Sequence, residues 1–103
     1  MKIKLLKIQT TNIPQVFKIE IKAGNQSLTF DVTVEVDTVA GQTILITHGS
    51  QEFCDFFRFN QDLASQICQL VCSFYNSIPI NLPTDIGEFS ALRPLEIVEY
   101  LVR

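Results

Sequence analysis

Residues 17–37, FKIEIKAGNQSLTFDVTVEVD, decide the fold. Phe17, Ile19 and Ile21 alternate with Lys18, Glu20 and Lys22. Leu28, Phe30, Val32, Val34 and Val36 alternate in the same way with Thr29, Asp31, Thr33, Glu35 and Asp37. Successive side chains on a strand point to opposite faces, so this period of two marks two strands, each with one apolar and one polar face. Gly24-Asn25 stands between them and suits a tight hairpin turn that needs positive φ. A two-residue loop there sets Lys18 opposite Asp31, Ile19 opposite Phe30, Ile21 opposite Leu28 and Lys22 opposite Ser27. Apolar residues then meet apolar ones and a lysine meets a carboxylate. A one-residue slip would undo both matches.

Working outward, Val39-Ala40-Gly41 reads as a three-residue hairpin loop with Gly41 in the left-handed position. That loop pairs Thr38 with Gln42, Val36 with Ile44 and Val34 with Ile46, and puts His48 on the face of Ile44 and Ile46. Residues 3–8 read as a further strand in which Leu5-Leu6 interrupts the alternation, which predicts a bulge or apolar contact on both faces. Residues 51–59, QEFCDFFRF, fit two patterns. As a strand they place Phe53, Asp55, Phe57 and Phe59 on one face. As a helix capped by Ser50 they cluster Phe53, Phe56 and Phe57. Aromatic content and the terminal alternation favour the strand.

Downstream, Leu63, Ile67, Leu70, Val71 and Phe74 recur at helical spacing behind Asn60 as N-cap and Asp62 in the first turn, which predicts a helix over 61–76. Pro79 and Pro83 enforce an extended stretch, and Thr84-Asp85-Ile86-Gly87 reads as a turn. Pro94 can open a last helix with Leu95, Val98, Leu101 and Val102 inward, with a strand as its rival. The expectation is a single α+β domain over residues 1–103. It has an antiparallel β-meander of four or five strands, one main helix on one face, and a short C-terminal helix or strand.

Composition supports this. Hydrophobic residues make up 47% and charged residues 18% of 103, too apolar for a disordered chain. No run approaches the ~18 apolar residues of a membrane-spanning helix. The N-terminal MKIKLLKIQTTN lacks the apolar core of a signal peptide. Three cysteines, an odd number, then point to reduced thiols and a cytoplasmic setting. Lys2, Lys4, Lys7, Lys18 and Lys22 crowd the first 22 residues against Glu20 alone, but the net charge is −3. An acidic chain with so few spaced lysines argues against nucleic acid, and the lysines are expected to face carboxylates on neighbouring strands.

The chemical constellations are sparse. Cys68 and Cys72, with Cys54 and His48, could compose a zinc set, but their spacing within a helix beside Ile67 and Val71 fits core thiols better. His48 is the only histidine, and no nucleophile elbow or phosphate-binding glycine motif accompanies it. No metal, cofactor or catalytic group is therefore assigned. Phe53, Phe56, Phe57 and Phe59 around Arg58 exceed what one helix is expected to cover. The reading is a non-catalytic protein-interaction or accessory module, a homodimer, with Phe57, Arg58, Phe59 and Tyr100 as candidate contact residues. The rival is a small enzyme or ligand-binding domain with a pocket near His48.

Overall fold

The computed structural model describes residues 1–90, so the expected element at 94–102 and Tyr100 lie outside the described residues. Strands β1 (Lys2–Thr10), β2 (Val16–Ala23), β3 (Gln26–Val39) and β4 (Gln42–Gly49) form an antiparallel meander. Helices α1 (Gln51–Phe56) and α2 (Gln61–Tyr75) follow. β5 (Thr84–Glu88) then returns antiparallel to β1, giving the order β4-β3-β2-β1-β5. The fold is α+β.

The first hairpin has the expected register: Lys18 opposite Asp31, Ile19 opposite Phe30, Ile21 opposite Leu28 and Lys22 opposite Ser27. Gly24, at φ +60°, starts its turn. The irregularity in β1 falls between Leu5 and Lys7 and lets Ile3, Leu5 and Ile8 all reach the core. One face of the sheet is thus apolar: Ile3, Leu5 and Ile8 of β1, Phe17, Ile19 and Ile21 of β2, and Phe30, Val32 and Val34 of β3 are buried. Helix α2 lays Leu63, Ile67 and Val71 against it.

Four expectations are corrected. The second hairpin closes on two residues, Ala40 and Gly41, both left-handed at φ +52° and +78°. Such a turn matches the twist of the strands it joins, where a three-residue loop needs only one left-handed residue. Val39 therefore pairs with Gln42, and the ladder runs one residue away from expectation, with Val36 opposite Leu45 and Val34 opposite Thr47. Residues 51–56 are helical. The Ser50 hydroxyl accepts from the Phe53 N–H at 3.3 Å, and Phe53 and Phe57, four apart, both enter the core. Thr84–Gly87 is strand, because Ile86 is buried beside β1 and Gly87 makes room for Leu63, whose Cδ2 would lie 2.8 Å from an added Cβ. Finally, Asn60 is the N-cap residue of α2, as expected, but its side chain makes no capping bond. Its buried Oδ1 accepts from the Ser90 N–H at 2.8 Å, tying the end of the β5 segment to the start of α2.

Candidate functional site

The meander leaves two outer strands, and they differ in chemistry. β5 is five residues long, carries Asp85 and Glu88, and meets β1 with a register shift between Ile3 and Lys4. Short length, charge and irregularity are the features by which proteins keep a sheet edge from pairing. β4 has none of them. Its eight residues, QTILITHG, hold no Lys, Arg, Asp, Glu or Pro, and its ladder with β3 runs without interruption from Val39–Gln42 to Val32–Gly49.

Hydrogen bonding along β4 follows from its turn. In a two-residue hairpin the residues flanking the loop exchange both backbone bonds, and bonded and non-bonded pairs then alternate. Gln42, Ile44, Ile46 and His48 thus bond to β3. Two contacts fix this phase independently: the Val34 N–H points the other way, to Gln15 O at 2.8 Å, and Asp31 O accepts from Ser50 N at 2.9 Å on the β4 side. The N–H and C=O groups of Thr43, Leu45 and Thr47 therefore face outward, and among the described residues no strand pairs with them.

The same hairpin exposes apolar side chains. Val36, Val39 and Ile44 are 45%, 53% and 37% exposed. The corrected register sets Ile44, Ile46 and His48 opposite Asp37, Glu35 and Thr33, on the face away from the helices. His48 does share a face with Ile44 and Ile46. Its Nε2 lies 3.4 Å from Glu35 Oε2, with both side chains more than half exposed on an open strand surface.

The remaining candidate residues separate. Phe57 is 1% exposed and belongs to a ring cluster with Phe30, Phe53, Phe56 and Phe89, at centroid distances of 4.9–6.3 Å. The cover that these rings were expected to seek from a partner is supplied within the chain, and Phe57 has no surface to present. Arg58 and Phe59 remain outside as a pair: the guanidinium carbon stands 5.4 Å from the centroid of the Phe59 ring, which is 48% exposed.

Three other features complete the surface. Lys18 opposes Asp31 and Lys7 opposes Glu20, as expected of lysines facing carboxylates, but Lys4 opposes Lys22, with Asp85 on its other side. A groove of about 620 Å³ runs past Phe17, Phe74, Tyr75, Pro14, Ile78 and Pro79. The thiols are free. Burial pushes Cys68 above its ordinary value despite a hydrogen bond with Thr47, and burial raises Cys72 as well. Among the described residues no three His, Cys, Asp or Glu converge to hold a metal, and no helix is long and apolar enough to cross a membrane.

Comparison with protein-family models, curated proteins and solved structures finds no match to this chain. Geometry alone then points to what the chain does. Sequence reasoning missed the β4 edge, because the hairpin register it assumed placed Ile44 and Ile46 on the core face. The signal was present in the uncharged TILIT run after Ala40-Gly41.

Proposed function

We propose that the protein is a non-catalytic interaction module that binds an extended strand along the outer side of β4. The observation that carries this reading is the contrast between its two edges: β5 is short, charged and irregular, whereas β4 is long, uncharged and regular. Main-chain groups of Thr43, Leu45 and Thr47 supply affinity, as in other strand-addition complexes, and Val36, Ile44 and Ile46 supply apolar contacts on either side of the new strand. Arg58 and Phe59 belong to a separate exposed patch. The reduced thiols suit the cytoplasm as the place of action.

The Glu35–His48 pair offers the enzyme reading little, since both groups sit in water and a general base works best where solvent is excluded. The test is selection of binders from a library of extended peptides, followed by amide shift mapping. Support is a set of ligands that shifts Thr43, Leu45 and Thr47 first and loses binding to Thr43→Pro. That substitution removes an outward N–H while sparing the bonds to β3. Ligands that map instead to the Phe74–Tyr75 groove or to His48 would overturn the reading.

A further inference from the structure

We propose that the strand β4 accepts is β4 of a second copy of this chain, antiparallel, with the two-fold axis passing through Leu45. This rests on the strand-addition reading above and names its partner.

Thr43, Leu45 and Thr47 point their backbone groups outward, and Gly49, next in that phase, has its C=O engaged by Cys54 Sγ at 3.6 Å, so a symmetric antiparallel pairing places its axis at a residue from Thr43 to Thr47. An axis at Ile44 bonds Thr43 to Leu45 and leaves Thr47 facing the partner's turn, and an axis at Ile46 bonds Leu45 to Thr47 and leaves Thr43 facing the partner's Gly49. An axis at Thr43 would run Leu45 into the Ala40-Gly41 turn of the partner. An axis at Thr47 would set Ile46 against His48 and carry Ile44 past the strand end toward Ser50. An axis at Leu45 uses the strand from Gln42 to His48. It pairs Thr43 with Thr47 of the second copy, Leu45 with Leu45, and Ile44 with Ile46. Each bonded pair exchanges two hydrogen bonds, about six in all.

Side chains agree with that register on both faces. On the face away from the helices, Ile44 and Ile46 of the two copies meet in the closer, non-bonded spacing, where cross-strand apolar pairs contribute most. On the helix face the two Leu45 side chains meet, with Val36 beside each. No lysine, arginine or carboxylate lies on β4, so no like charges oppose one another across the axis, although each chain carries a net charge of −3. Glu35 and Asp37 lie one strand further out and leave the seam clear. A two-fold pairing of this kind is isologous and closed: it consumes both β4 edges and, among the described strands, leaves only the guarded β5 edges outside.

The experiment is sedimentation velocity over about 1–300 μM, on the full chain and on Thr43→Pro and Ile44→Lys, with a half-labelled NMR sample of the wild type. Circular dichroism and melting of each variant at the lowest concentration establish that the monomer is folded. The expected result is a concentration-dependent dimer, weakened by ~30-fold or more in each variant, with an intermolecular contact between the Ile44 and Ile46 α-protons. Two residues apart on one strand, those protons are too distant to give that signal within a chain. A chain that stays monomeric throughout while peptides still protect the Thr43, Leu45 and Thr47 amides would overturn the second-copy partner and leave the strand-addition reading standing. A dimer that both variants keep at wild-type strength, with those amides exposed, would overturn both.

Discussion

Gly49→Ala isolates the contact that turns the chain from β4 into α1. Gly49 pairs with Val32 at the end of the strand, one residue before the Ser50 that caps the helix. A Cβ at this position would overlap the Phe53 ring, falling 2.9 Å from Cγ and 3.0 Å from Cε1 and closer still to Cδ1. Phe53 is 3% exposed and held by Phe30 at 5.7 Å and Phe57 at 4.9 Å between centroids, so the ring has little room to retreat. Overpacking of a filled core costs about 1–3 kcal/mol, and a displaced aromatic ring puts this site at the upper end, about 2–3 kcal/mol. For a domain of this size that lowers the melting temperature by roughly 10–20 °C. Thermal and urea unfolding of Gly49→Ala, Phe53→Leu and the double variant read the effect. Leucine removes the ring that alanine strikes, so the double variant should be more stable than the sum of the singles implies, by about 1 kcal/mol or more. Gly41→Ala is the control: a Cβ there meets nothing within 4 Å, and the cost is that of φ +78° alone, about 1 kcal/mol. A Gly49→Ala protein within about 0.5 kcal/mol of wild type, or strict additivity with Phe53→Leu, would refute the contact.

Phe57→Ala should cost about 3–5 kcal/mol and Phe59→Ala less than about 1 kcal/mol by urea unfolding, because only the first ring lies within the core. Asn60→Ala removes the acceptor for the Ser90 N–H and should cost about 1 kcal/mol, with Asn60→Asp retaining most of it, as read by the same unfolding curves. Cys68 should react with a thiol reagent more slowly than exposed Cys54, because burial holds its pKa above the ordinary value. The folded state thus keeps a proton that the unfolded state releases, so stability falls as pH rises from about 9, and Cys68→Ala flattens that decline in alkaline melts.

What the sequence made legible follows from what constrains it locally. The β2–β3 register could be read because a slip would bury Lys18 and Glu20 and expose Ile19 and Phe30. Strand β4 resisted the same reading because Thr43-Ile44-Leu45-Ile46-Thr47 is apolar on one face and threonine-flanked leucine on the other, so either face could pass for the inner one. The turn decided it, through positive φ at Ala40, a residue with no preference for that conformation. In 51–59 the phenylalanines satisfy periods of both two and 3.6, and the choice fell to the Ser50 cap and the position of Phe30 across the core. Gly87 was placed in a turn, yet it and Gly49 both serve to admit a neighbouring side chain, and such a close approach exists only once the fold has formed. Asn60 carried a helix-start signature, but its side chain was claimed by a residue 30 positions away. The candidate edge inherited the register error, which is why β4 went unnoticed, while the strand reading of 51–59 made Phe57 a contact candidate.

Amide hydrogen exchange along β4 tests the central claim most directly. Ile44, Ile46 and His48 bond inward to β3 and should be protected at every protein concentration. The backbone amides of Thr43, Leu45 and Thr47 face outward with no strand paired to them among the described residues and should exchange fast in dilute solution, then slow as concentration rises and β4 acquires its added strand. Fast exchange at Thr43, Leu45 and Thr47 that ignores both concentration and added peptide would contradict the account.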